Sequence, residues 1–180
     1  MTKALIVVDV QESFRQRASW ETASNPAIAG PVGKLADHFR AQGDLIVWVL
    51  HIEPGTGDVF DPELGFVRLM DGLIAKDGEP TVHKTSHNAF TTTNLHQLLT
   101  SRGIREVTIC GIRTEQCCET TARVASDLGF EVVFAIDATA TTPIELGGDV
   151  LSTGEIMRRT EFVLAGRFAT IRTVAELTGS

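Results

Sequence analysis

The chain has 180 residues, 43% of them hydrophobic and 22% charged, which is ordinary globular usage and enough to bury one core. That composition excludes a disordered or fibrous chain and predicts a single domain over residues 1–180. With 16 basic against 23 acidic residues the formal charge is -7, and no local Lys/Arg cluster offsets it, so no nucleic-acid partner is expected.

The first apolar run, Ala4 to Val8, ends in Asp9 and reads as a buried strand. It is far shorter than the ~20 residues of a membrane span, and it lacks the length and cleavage site of a secretory signal. No membrane partner is expected, and a cytoplasmic location is the default. Pro31 to Ala41 follows with Val32, Leu35, Ala36 and Phe39 at helical spacing. Leu45 to Leu50 reads as the second strand. The Gly/Pro/Asp-rich span from Glu53 to Pro80 is weakly patterned, with Phe66 to Leu73 a candidate short helix. Spans of this length in compact domains are often lids, so substrate recognition is expected there.

A short strand at Thr81 to Lys84 precedes a helix over Asn94 to Arg102, a strand over Val107 to Ile112 and a helix over Glu115 to Leu128. The pattern ends with a strand at Val132 to Ile136, a helix over Asp149 to Leu164 and a short strand at Ala169 to Arg172. Gly43, Gly103 and Gly129 each follow a helical segment and precede a strand, where a left-handed stop is wanted. Near-continuous Val/Ile runs imply strands buried on both faces, hence an α/β fold with a parallel sheet between two helix layers.

In such a sheet, ligands bind beyond the carboxyl ends of the strands where the winding direction reverses. That rule selects Asp9, His51, Glu53, Lys84 and the turn from Arg113 to Cys117. The three cysteines, Cys110, Cys117 and Cys118, form neither an even disulfide framework nor a CxxC pair, so they read as free thiols. Cys110 lies inside a strand, and Cys118 shares a small-residue stripe with Ala122 and Ala125; both read as small buried hydrophobes. Cys117 lies at a strand-to-helix turn, with Thr114 suited to cap the helix. There the helix dipole and free backbone N–H groups favour a thiolate and can hold an oxyanion. Cys117 is therefore the candidate nucleophile, the other reading being a third packing thiol.

Asp9 either caps the turn after its strand or faces a group on the neighbouring strand's turn. Lys84, flanked by His83 and His87, has a solvent-facing lysine as its ordinary reading, and two histidines four apart outside a clear helix do not define a metal site. After the first strand stands Asp9-Val10-Gln11-Glu12-Ser13-Phe14, with no GxGxxG; a P-loop, a GxSxG elbow and an HExxH segment are also absent. What remains is nucleophilic cysteine chemistry.

Three blocks together resemble the isochorismatase-like cysteine hydrolase family, which includes nicotinamidases, N-carbamoylsarcosine amidohydrolases and ureidoacrylate hydrolases. The first is Ala4-Leu5-Ile6-Val7-Val8-Asp9-Val10-Gln11-Glu12-Ser13-Phe14. The second runs from His83-Lys84 to Ala89-Phe90 and on through Thr93-Asn94-Leu95 to Leu98. The third is Gly111-Ile112-Arg113-Thr114-Glu115-Gln116-Cys117, continuing through Thr120-Thr121-Ala122 and Ala125 to Asp137-Ala138. The resemblance implies Cys117 as nucleophile, Asp9 as general base and Lys84 as the cation that orients or stabilises the pair. It also implies a three-layer α/β/α fold whose six-stranded parallel sheet has the order 3-2-1-4-5-6, a Rossmann-like arrangement. A cis peptide is implied between Ile112 and Arg113, with the Arg113 and Cys117 amides as the oxyanion hole, and so is a homodimer or homotetramer.

On this reading the protein hydrolyses a small amide or ureido C–N bond through a covalent thioester, with a small molecule as its partner and no cofactor. An isochorismatase that cleaves a vinyl ether using Asp9 is one alternative. A noncatalytic binder or redox-sensing protein on the same fold, with Cys117 as an oxidisable thiol, is another. Nicotinamidase-type members carry an Asp-x-His metal pair after the second strand, where this chain reads Leu50-His51-Ile52-Glu53-Pro54. Lacking a clear third ligand, His51 and Glu53 are expected to line the pocket, and no metal is expected. Phe14, Trp20, His51 and Gln116 are the substrate-binding candidates, with Phe60 and Phe66 as further aromatic ones.

Overall fold

The computed structural model describes residues 3–179. In chain order the elements are β1 (Lys3–Val8), α1 (Ala29–Gln42), β2 (Leu45–His51), β3 (Thr81–Lys84), α2 (Leu95–Thr100), β4 (Glu106–Ile112), α3 (Glu119–Asp127) and β5 (Glu131–Ala140). There follow β6 (Ile144–Leu146), β7 (Asp149–Leu151), α4 (Thr153–Leu164), β8 (Thr170–Arg172) and α5 (Val174–Thr178). Six strands pair in the order β3-β2-β1-β4-β5-β8, all parallel. The expected order is met with β8 as the sixth sheet strand, because β6 and β7 form a separate antiparallel hairpin. No helix among the described residues is long and apolar enough to cross a membrane.

β1 lies between β2 and β4, so its residues are covered on both faces. Ala4, Ile6 and Val8 pack into the core layer with Leu95 and Leu99 of α2 and Ala122 and Ala125 of α3. Leu5 and Val7 pack into the opposite layer with Val32, Leu35 and Phe39 of α1. This is the two-residue alternation of a strand applied to two cores at once. Each fully buried aliphatic side chain contributes about 1.5–3 kcal/mol.

Three local expectations are corrected. The helix read from Asp149 starts only at Thr153, where Ser152 and Glu155 form a reciprocal capping box, and Asp149–Leu151 is a hairpin strand. Phe66 to Leu73 is not helical. Gln11 bridges to Leu69 instead, and Met70 and Leu73 are buried in the layer beside α1. Within that stretch Met70 and Leu73 join the core, while Arg68, Asp71 and Gly72 stay exposed. The third concerns Thr114 and belongs to the site.

The sheet winds in opposite directions on either side of the β1–β4 pair. There the two strands approach closely: a Cβ on Gly111, which pairs with Val8, would stand 1.9 Å from the Val8 carbonyl oxygen. Gly111 has φ 131° and Asp9, the residue after β1, has φ 54°, a left-handed conformation rare for any residue but glycine. The chain thus bends sharply off both strands at the same point.

Candidate active site

Asp9, Lys84 and Cys117 meet at that point. Lys84 ends β3, where the β2–β3 register sets it beside His51. Its side chain is fully buried, and Nζ lies 2.7 Å from Asp9 Oδ2, whose side chain is also fully buried. The ammonium donates to Cys117 Sγ at 3.4 Å and to the Ser86 carbonyl oxygen at 3.1 Å. It also lies 3.4 Å from His51 Nδ1. β1, β3 and the turn after β4 thus deliver a carboxyl, an ammonium and a thiol to one buried point, where each charge costs several kcal/mol unless the charges pair.

Burial pushes the Asp9 carboxyl up from the usual carboxylate range, and Lys84 opposes that shift. Burial, then the Asp9 charge, pushes the Cys117 thiol up to about 12, again against Lys84. This corrects the idea that a helix start by itself favours the thiolate. The local structure also differs from the one expected. Thr114 is fully buried, its hydroxyl donates to Thr139 Oγ1 at 2.9 Å, and it caps nothing. Thr114–Cys118 instead form a π turn ahead of α3, and the amides of Gln116 and Cys118 both donate to the Arg113 carbonyl at 3.2 Å. Such turns recur at functional sites because they reset which side chains face a cleft. The peptide bond between Ile112 and Arg113 is cis.

Above the thiol opens a cavity of about 260 Å³ bordered by Asp9 and Cys117 and by Phe14, Trp20, His51 and Gln116. Phe60 borders it as well; Phe66 does not. Phe14 packs edge-on to Phe60 with centroids 5.1 Å apart, and His51 does the same at 5.5 Å, so one wall is a rigid aromatic cluster. The Gln11 side chain fastens this wall to the sheet, accepting from the His51 amide at 2.7 Å and donating to the His51 carbonyl at 3.1 Å. Cys110 and Cys118 are buried off the cavity, and burial raises both thiols.

His51 Nε2 lies 3.1 Å from Glu53 Oε1, so the two residues considered as metal ligands pair with each other. Among the described residues no three His, Cys, Asp or Glu side chains gather as a metal-holding group. The sequence reading did not mark Arg17, His87 and Thr142 as cavity residues, and it assigned Arg113 only a backbone role; all four border the cavity. Arg113 is the one that carried a signal, as the first charged residue beyond a buried strand.

The winding reversal and the buried thiol, ammonium and carboxylate beneath a cavity with an aromatic wall define the class, a doubly wound α/β protein with a cysteine-centred site. The Isochorismatase domain model matches residues 3–154, and the chain belongs to the isochorismatase family of hydrolases. It is 27% identical over 174 residues to the uncharacterised isochorismatase family protein YddQ of Bacillus subtilis, covering 96% of this chain and 97% of that one. It is 34% identical over 151 residues to a streptothricin hydrolase of Streptomyces noursei, covering 84% of this chain and 54% of the relative. The crystal structure of an isochorismatase-family hydrolase from Chromobacterium violaceum superposes with a TM-score of 0.92 at 23% identity, covering 99% of this chain and 92% of that one.

Proposed function

We propose that this protein is a cysteine-dependent hydrolase of a small amide or ureido C–N bond, with Cys117 as nucleophile, Asp9 as general base and acid, and Lys84 as the cation that holds both. The observation that carries the reading is the convergence of Asp9 and Cys117 on Lys84 Nζ, which lies 2.7 Å from Asp9 Oδ2 and 3.4 Å from Cys117 Sγ. A thiol raised to about 12 attacks only after handing its proton to a neighbour, and a carboxyl raised by burial is a fit acceptor. Sγ then bonds to the scissile carbonyl carbon, and the carbonyl electron pair moves to oxygen, facing the Arg113 and Cys117 amides. As that pair returns, the C–N bond breaks and Asp9 gives its proton to the departing nitrogen. Water, deprotonated by Asp9, cleaves the thioester and restores the thiol.

The relative named as a streptothricin hydrolase supports a hydrolytic reaction, and a 260 Å³ cavity suits a small substrate. The homo-oligomer implied by the resemblance would draw on exposed apolar side chains of the β6–β7 hairpin and α4, Leu146, Val150 and Phe162. A screen of small amides and ureido acids for ammonia release tests the chemistry. The expected result is turnover that Cys117→Ala lowers by about a thousandfold or more, as for loss of a covalent nucleophile. Undiminished turnover by Cys117→Ala would sink the mechanism, and pyruvate release from isochorismate by that same variant would favour Asp9-based vinyl ether cleavage.

A further inference from the structure

We propose that His51 is a positioning residue for the buried lysine: its bare Nδ1 accepts from the Lys84 ammonium and helps hold it beside Cys117, while Glu53 takes the ring N–H on the far side. The inference deepens the C–N hydrolase reading and rests on it for what the thiol does.

An ammonium has three N–H donors and no acceptor, and a buried one cannot turn any of them to water. Lys84 is fully buried, so every polar atom around Nζ must offer it a lone pair or a negative charge. Asp9 Oδ2 stands 2.7 Å away as the counter-charge. The Ser86 carbonyl oxygen, Cys117 Sγ and His51 Nδ1 stand at 3.1, 3.4 and 3.4 Å. A proton on Nδ1 would set two donors against each other, and a doubly protonated ring would press a second cation on the first. The ring proton therefore belongs on Nε2, where Glu53 Oε1 stands 3.1 Å away to accept it.

His51 is held so that this nitrogen cannot turn away. It ends β2 opposite Lys84 in the register, Gln11 engages both its amide and its carbonyl, and its ring meets Phe60 edge-on at 5.5 Å. Contacts thus run from half-exposed Glu53 through the mostly buried imidazole to Lys84, and from there to Asp9 and Cys117. Lys84 is the neighbour that favours the Cys117 thiolate, against burial and Asp9. Without the Nδ1 lone pair, the ammonium would either close onto Asp9 or lose a proton it could no longer place. Both outcomes remove positive charge from beside Sγ.

Two measurements on the full chain test this without turnover. Long-range proton–nitrogen NMR of the wild-type His51 ring near neutral pH is expected to show the proton on Nε2 alone. Iodoacetamide labelling of Cys117 at mildly alkaline pH, read by mass spectrometry, follows the thiolate. His51→Leu is expected to slow it about tenfold, the effect of one unit in thiol pKa. His51→Asn, whose Oδ1 takes the place of Nδ1, should recover most of the rate, whereas His51→Gln, whose polar atoms sit farther out, should not. A ring needed only for packing would rank the variants by size instead, with Asn the poorest. That ranking, labelling unchanged or faster in His51→Leu, or a proton on Nδ1 in the wild type would overturn the assignment, and the last requires no variant to fold. If His51 behaves as stated while Cys117→Ala keeps full amide turnover, the hydrolase reading fails and the positioning stands. If Cys117→Ala abolishes turnover while His51→Leu labels like wild type, the reverse holds.

Discussion

Cys117 carries its proton at rest, because lost hydration and the nearby Asp9 carboxylate push the thiol to about 12, while the opposing ammonium of Lys84 is shared with Asp9. Two effects of Asp9 therefore have opposite signs. As a charge it disfavours the thiolate; as a base it is needed to create one when substrate is present. Iodoacetamide labelling of Cys117 in the resting protein should be slow near neutral pH and rise about tenfold per pH unit on the alkaline side, since the thiolate fraction grows that way below the pKa. Asp9→Asn should label faster than wild type at the same pH, yet turn over any amide substrate about a hundredfold or more slowly. Labelling followed by mass spectrometry of Cys117, beside an ammonia assay, separates the two; slower labelling in Asp9→Asn would show that the carboxylate does not hold the thiol protonated.

At the scale of elements, the site depends on how closely β1 and β4 approach. A Cβ on Gly111 would fall 1.9 Å from Val8 O, 2.7 Å from Val8 C and 2.9 Å from Val8 N, and all three are backbone atoms that cannot swing aside. With φ at 131° the backbone itself also resists a side chain. Gly111→Ala should therefore cost about 4 kcal/mol or more, among the largest single-residue effects. Urea denaturation and soluble yield measure it, and a near-wild-type midpoint would mean that the strands can part at the switch point without loss. A glycine inside a strand marks a bulge, a bend or a close backbone approach, and the sequence alone does not say which of these Gly111 serves. Thr114 was hidden for a different reason. Its type suits a helix cap, but Thr139 on β5 takes its hydroxyl, and a contact 25 residues away in sequence overrides the local preference.

Across the whole molecule, the legible features were those with a local cause. Val/Ile runs buried on both faces gave the strands, their carboxyl ends gave the site, and Asp9, Lys84 and Cys117 stood out as polar residues at those ends. The interior of the long connection between β2 and β3 was not legible, because its order comes from tertiary bonds rather than periodicity. Glu79 is the clearest case. It accepts from Arg40 Nε at 2.6 Å and Arg40 Nη2 at 3.0 Å on α1, from Trp48 Nε1 at 2.8 Å on β2, and from the Lys76 amide at 2.9 Å. Arg40 in turn donates to the Ile74 carbonyl at 2.9 Å, so one carboxylate joins a helix, a strand and the end of the connection. Trp48 is fully buried, and its indole N–H has nowhere else to turn. Burial raises the Glu79 pKa, but the donors from Arg40, Lys76 and Trp48 outweigh it, and the group lies below its ordinary 4.5. A carboxyl depressed on folding stabilises the native state in full above its unfolded pKa and loses that contribution as pH falls through the folded value. Glu79→Ala should therefore cost about 2 kcal/mol at neutral pH, the scale of a charged hydrogen bond plus an orphaned buried donor. Urea titrations of wild type and variant should show that gap constant from pH 7 to about 5 and narrowing below about pH 4. A gap that stays constant to pH 3 would mean that the network holds through the shape of the side chain rather than its charge.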